Sequence, residues 1–262
     1  LFEDQRFWES MSAYELAKEG AKPDQVMRAS VGMLRSLLQA AEFHRAHQEA
    51  LFLRELQPTD PKVLALYADG LWSAGLFEEA EATYREILDD NPSSAGAHHG
   101  LGRSLAAKND LERALMEVQA SLTLETPPEY HHTLAAIYRR QGQYPKAAEA
   151  LDRYVAGIAT GNRSEKAEWA RSEARFLRSF GSDVPLDIDT VDQVHTIPFR
   201  LVNDKIVVRG RINGQALTDL VVDTGAEQMV LSKETAQKFG VRPIVNSLSA
   251  GVGEVGFRTL EL

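Results

Sequence analysis

The apolar positions of this chain change period once along its length. As far as about residue 180 they recur at i, i+3 and i+4, the spacing of amphipathic helices; from Ile197 they alternate, the spacing of half-buried strands. The helical part repeats itself. Pro61–Pro92 holds two such helices around Gly75 and closes on Asp-Asp-Asn-Pro. Ala95–Pro127 follows in register through Leu101, Gly102, Leu105, Leu111, Ala114 and Leu122, and a copy from Pro128 carries Leu134, Tyr138, Gly142, Tyr144, Ala147 and Leu151. The small residues of the second helices, Ala46, Ala80, Ala114 and Ala147, are spaced by 34, 34 and 33 residues. A weaker copy therefore begins near Met27, preceded by an N-terminal helix in 1–26. Ser164–Phe180 is one more amphipathic helix, which caps a repeat domain spanning 27–180. Alanines let paired helices approach closely while Leu, Tyr and Phe fill the grooves, and proline breaks the helix where one repeat hands over to the next. Each repeat can bury its apolar face only on its neighbours, which predicts a stack with a concave surface.

Residues 181–196 carry Asp183, Asp187, Asp189 and Asp192 with no Lys or Arg, the pattern of an extended acidic linker. In 197–262, Phe199, Leu201 and Ile206–Val208 precede Asn213-Gly214, a pair that tolerates positive φ and predicts a hairpin. The return strand Leu217–Val222 runs straight into Asp223-Thr224-Gly225-Ala226. Met229–Leu231 is a further apolar stretch, and Ser232 is placed to cap a short helix that stops at Gly240.

Composition narrows the chemistry. The 262 residues contain no cysteine, which removes disulfides, thiol nucleophiles and Cys-ligated zinc. No apolar run approaches the ~20 residues of a membrane-crossing helix. The net charge of −9 divides into −10 over residues 1–196 and +1 over 197–262, and an acidic repeat domain repels phosphate backbones, so nucleic acid is not an expected partner. The chain begins at Leu1 rather than Met, as it would after removal of a leader.

The repeat period and its small–large alternation resemble the tetratricopeptide repeat. That resemblance implies a protein-binding concave face lined here by Lys62, Asp69, Trp72, His99, Arg103, His132 and Arg139. Members that clamp a C-terminal carboxylate use Lys, Asn and Arg where this chain has Ala65 and Asp69, so that ligand is not expected. The pairs His98-His99 and His131-His132 recur 33 residues apart. Either they form a metal site or pH sensor, or His98 and His131 pack between helices while His99 and His132 are solvated; the second reading is preferred and no metal is assigned.

The strand, the Asn-Gly turn, the second strand, Asp-Thr-Gly-Ala, the apolar stretch and Ala-x-x-x-Gly-Val together resemble the first half of a retropepsin-like aspartic protease. The expected architecture is thus an all-α tetratricopeptide-type solenoid followed by an all-β acid protease domain, incomplete within 197–262. The resemblance implies Asp223, Thr224 and Gly225 as catalytic-loop residues, with Val221 and Val222 desolvating the carboxylate. It implies Ala226, Gly251, Val252 and Gly253 as substrate contacts, the last three in a glycine-rich flap over Ser249–Gly256 that also reads as a plain loop. An Asp after a strand can equally be a turn acceptor.

Only one Asp-Thr-Gly occurs in the chain, so a paired-carboxylate site demands a homodimer or a second lobe. No cofactor is expected. The partners expected are a peptide or protein substrate, a second copy, and a protein on the repeats. The rival reading is a non-catalytic scaffold whose protease-like domain dimerises or binds peptide. Bacterial proteins that pair these domains point to the periplasm or envelope rather than the cytoplasm.

Overall fold

The computed structural model describes residues 1–2, 6–158, 165–181, 194–225, 229–243, 246–249 and 258–261. It divides into two units, 1–181 and 182–262. In the first, α1 (Phe7–Lys18) packs on α2 (Pro23–Gln39), and α2 pairs with α3 (Phe43–Leu56). Three further antiparallel pairs follow: α4 (Pro61–Ser73) with α5 (Phe77–Asp90), α6 (Ala95–Ala107) with α7 (Leu111–Leu124), and α8 (Pro128–Arg140) with α9 (Tyr144–Gly157). Helix α10 (Glu165–Ser179) covers α9. The first pair starts at Pro23 rather than near Met27, because proline suits the first helical turn and fixes the boundary there.

The repeat is visible in three kinds of position and in the helix contacts. Ala46, Ala80, Ala114 and Ala147 are all 0% exposed at the helix crossings. Ala41, Gly75, Asn109 and Gly142 all have left-handed backbone in the turn between paired helices, with φ of 58°, 84°, 64° and 71°. Side chains bridge adjacent repeats at an offset of 34 residues, pairing Asp69 with Arg103, His99 with Thr133 and Arg139 with Glu173. Helices α2, α4, α6 and α8 each touch the next in that series, while among the described residues the α3, α5, α7 and α9 series has no such contacts. The first helices of the repeats therefore form the inner, concave layer. One apolar core runs through the whole stack from Met11 to Leu177.

Ala41 is the odd member of the turn series, since a Cβ in the left-handed region costs roughly 1–2 kcal/mol. Glycine relieves that cost but loses more freedom on folding, by roughly 0.5–1 kcal/mol. Ala41→Gly should therefore stabilise the repeats by about 0.5–1 kcal/mol, and Gly75→Ala should destabilise them. Urea unfolding of the two variants checks both signs.

The second unit contains an antiparallel meander of β1 (Phe199–Val202), β2 (Lys205–Arg211) and β3 (Leu217–Val222). Both turns use paired left-handed residues, Asn203-Asp204 and Asn213-Gly214, which match the strand twist. Ser232 Oγ accepts from the Thr235 N–H at the start of α11 (Lys233–Lys238), and Gly240 ends it at φ 68°. The Asn213 and Gln215 amides donate to the Phe239 carbonyl at 2.9 and 3.2 Å, tying the hairpin tip to the end of this helix. Val207 and Phe239 are its buried apolar residues among those described. A second ladder pairs β4 (Asn246–Ser249) with β5 (Arg258–Glu261).

Candidate active site

Pairing of β3 with β2 ends at Val222 opposite Ile206, and Asp223 is the next residue. Leaving the ladder frees its backbone to turn, and the Gly225 N–H donates to Asp223 Oδ1 at 2.9 Å. That bond orients the carboxylate, and among the described residues Oδ2 has no hydrogen-bond partner. Gly225 does not have left-handed backbone, and a Cβ there would stand 3.4 Å from the same carboxylate oxygen, an ordinary van der Waals contact. Thr224 is exposed beside it.

Val221 and Val222 depart from expectation. They are 56% and 45% exposed and do not screen Asp223 within one chain, because the sheet brings no layer over them among the described residues. Met229 and Val230 are exposed as well. The four expected substrate contacts, Ala226, Gly251, Val252 and Gly253, lie outside the described residues.

In the repeats, three of the seven expected concave-face residues converge. The Tyr84 hydroxyl donates to Asp69 Oδ1 at 2.7 Å, Arg103 donates to the same oxygen, and Arg103 Nη2 lies 3.0 Å from the Tyr84 hydroxyl. The Arg103 guanidinium also sits 5.5 Å from the centroid of Trp72. Burial opposes the charge on Arg103, but Asp69 and Tyr84 outweigh it and hold the guanidinium protonated above its ordinary range. Burial, then Asp69, push the Tyr84 phenol well above its usual range. Sequence reasoning misses Tyr84 because it lies on a second helix among core residues.

The other four are dispersed. Arg139 pairs with Glu173 at 3.2 Å, His132 lies exposed against Tyr154 and Trp169, and the exposed Lys62 stands apart near the start of α4. His99 overturns the expectation of a solvated ring. It is 9% exposed, stacks on Tyr130 with ring centroids 4.2 Å apart, and shares a 2.9 Å hydrogen bond with Thr133. Its face of α6 points into α8, so the next repeat covers it. His98 is packed too, 2.6 Å from a Glu117 oxygen and 2.9 Å from the Pro92 carbonyl. Among the described residues no three His, Asp or Glu side chains converge as a metal site.

Burial, then the charges of Arg103 and His132, hold the His99 imidazole well below its ordinary range. Above about pH 6.5 the ring is neutral folded or unfolded; below it the unfolded chain takes up the proton first. Folding stability should therefore fall by up to about 1.4 kcal/mol per pH unit below about pH 6.5 from this residue. His99→Gln should flatten that part of the profile in urea titrations at several pH values.

Residues 66–129 match the family model for the tetratricopeptide repeat. The helical unit is a tetratricopeptide-repeat solenoid. Solved structures agree on the fold. A thermophilic TPR protein of Thermus thermophilus, TTC0263, is 18% identical with a TM-score of 0.52, over 64% of this chain and 90% of that one. The APC/C hetero-tetramer Cut9-Hcn1 gives 16% and 0.54, over 70% of this chain and 34% of that one. The human IFIT1 dimer with PPP-AAAA gives 16% and 0.52, over 67% and 43%. Residues 208–255 match the aspartyl protease family model, a span that includes Asp223. No curated protein matches the chain. Tetratricopeptide repeats point to protein–protein interaction, and among the described residues no helix is long and apolar enough to cross a membrane.

Proposed function

We propose that the chain is an aspartic endopeptidase whose active site forms when two copies bring their Asp223 carboxylates together. One observation carries the reading: a carboxylate at the end of a strand, oriented by the Gly225 N–H, inside a segment that matches the aspartyl protease family. The uncovered Val221 and Val222 beside it suit the same reading, because a partner copy would cover them and dry the site.

Two carboxylates held that close cannot both ionise, so they share one proton and hold a water between them. The ionised member takes a proton from the water as its oxygen attacks the peptide carbonyl. The protonated member gives its proton to the carbonyl oxygen, producing a neutral gem-diol. On collapse the carboxyl that took the water's proton gives it to the departing amine nitrogen while the other carboxylate accepts one hydroxyl proton from the gem-diol, so that the C–N bond breaks, a carboxylic acid and an amine leave, and the dyad again holds one proton. No metal or organic cofactor takes part. The repeats would recruit the substrate or a regulator, and the setting would be the periplasm or envelope.

Cleavage of a peptide library between about pH 4 and 7 tests the reading, since a shared proton is lost as pH rises. A rate that is higher on the acid side and is abolished by a pepstatin-type inhibitor supports it. A flat profile with no inhibition overturns it. The same uncovered valines also suit a peptide-binding or dimerising scaffold without catalysis, which a folded, dimeric and inactive chain would favour.

A further inference from the structure

We propose that a cleft on the outer surface of the repeats, between α3, α4 and α5, binds a linear aliphatic polyamine. Among the described residues α3 and α5 do not touch, and the gap between them is a cavity of about 230 Å³ floored by α4. Leu64, Tyr67 and Leu71 line that floor. At about 100° per residue they stand on the side of α4 away from Lys62 and Asp69, so the cleft is separate from the concave groove. The next repeat shows what keeps the space open. Its equivalent positions, 34 residues further on, hold His98 and Glu117, whose side chains meet at 2.6 Å and bridge α6 to α7. Leu64 and Thr83 stand in their places and make no such bridge; the Thr83 hydroxyl turns back to the Glu79 carbonyl.

The lining defines the occupant. Tyr67 is 9% exposed and lines the cleft, yet among the described residues its hydroxyl has no hydrogen-bond partner. Such a group calls for a ligand that can hydrogen-bond to it. Glu79, Thr83, Glu86 and Asp90 form one stripe of α5 along the wall of the cleft. None of the three carboxylates is in an ion pair among the described residues. Glu86 and Asp90 are like charges one turn apart, and Asp90 stands at the C-terminus of α5, where the backbone adds negative charge and no basic residue answers it. Arg54, 4.5 Å from the centroid of the Tyr67 ring, is the cation of the lining, and the carboxylates outnumber it. The floor is apolar through Leu64, Leu71 and Ile87. Along α5 the carboxylates are spaced by about 10 and 6 Å. A polyamine strings ammonium groups along a hydrocarbon chain on that scale. Its methylenes would cover the floor, its ammonium groups would meet the carboxylates, and one of them would donate to the Tyr67 hydroxyl oxygen. A bare metal ion satisfies the charge but leaves the apolar floor wet.

The test is calorimetric titration of the full chain with spermine at about 0.15 M salt, and it depends neither on Asp223 nor on cleavage. Spermine should bind at a single class of site, at least about tenfold more tightly than putrescine or Mg²⁺. Tyr67→Phe removes only an unpaired hydroxyl, so melting should be unchanged while affinity falls about tenfold or more. Glu86→Gln with Asp90→Asn should weaken binding several-fold, up to about tenfold. Leu64→His with Thr83→Glu copies the bridge of the next repeat into the cleft and should abolish binding in a folded chain. The proposal is overturned if spermine does not bind, if Mg²⁺ at equal charge displaces it as well as spermine itself, or if Tyr67→Phe binds it unchanged. It is also overturned if the bridged variant folds and binds as wild type does, or if trilysine binds more tightly than spermine, which would point to a protein partner.

Discussion

Tyr84→Ala is expected to destabilise the repeat unit by about 3–5 kcal/mol, the range for removing a buried aromatic side chain. Tyr84 is fully buried, and its ring fills the space that the missing side chain of Gly100 leaves open; a Cβ there would come within 2.2 Å of it. Truncation leaves a cavity between the second and third repeats. It also strips one hydrogen-bond partner from Asp69 and one from Arg103. Tyr84→Phe keeps the ring and the Asp69–Arg103 pair, so it should cost only about 1–2 kcal/mol. A unit of this size loses roughly 2–4 °C in Tm per kcal/mol, so the alanine variant should melt about 6–20 °C lower. A loss below about 1 kcal/mol for Tyr84→Ala would mean that the second and third repeats do not pack through this ring.

Asp223→Asn is expected to have the larger effect on activity and almost none on stability. In the proposed dyad each carboxylate acts as base or acid, and such groups contribute about 10²–10⁴-fold apiece. One substitution removes both at once from a symmetric pair, so the rate should fall by at least about 10³-fold. The asparagine amide oxygen still accepts from the Gly225 N–H, and the side chain is exposed, so unfolding should shift by less than about 0.5 kcal/mol. Loss of cleavage with an unchanged melting profile separates chemistry from folding. A residual rate within about tenfold of wild type would remove Asp223 from the reaction.

Much of the architecture is legible in residue spacing because the repeat writes itself into small residues. Ala46, Ala80, Ala114 and Ala147 recur at the repeat spacing and are all fully buried. Asn213-Gly214 marks its hairpin because few other pairs accept positive φ twice. The equivalent turn at Asn203-Asp204 is harder to see, since neither residue is glycine, although both can adopt the left-handed region through local side-chain hydrogen bonds. The turn series 41, 75, 109 and 142 hides for the same reason behind Ala, Gly, Asn and Gly.

Helical periodicity within α6 puts His99 on the solvent side because its partners, Tyr130 and Thr133, lie on the next repeat, where that periodicity does not reach. The offset of 34 residues between interacting side chains is the usable signal, since Asp69 and Arg103 are separated by it. At the candidate active site the motif Asp223-Thr224-Gly225 and its internal hydrogen bond follow from sequence, but what covers Val221 and Val222 does not. Alternation in a strand says that two faces differ; it does not say which layer, or which molecule, lies on each.

The pairing of two Asp223 carboxylates is the centre of this account, and a mixing experiment tests it most directly. Wild-type and Asp223→Asn chains are equilibrated together in varying ratio at constant total concentration, and peptide cleavage is measured at acid pH. If the active site needs Asp223 from both copies, activity falls as the square of the wild-type fraction, to about one quarter at equal amounts. A fall in simple proportion, to about one half, would place a whole active site within one chain and contradict the account.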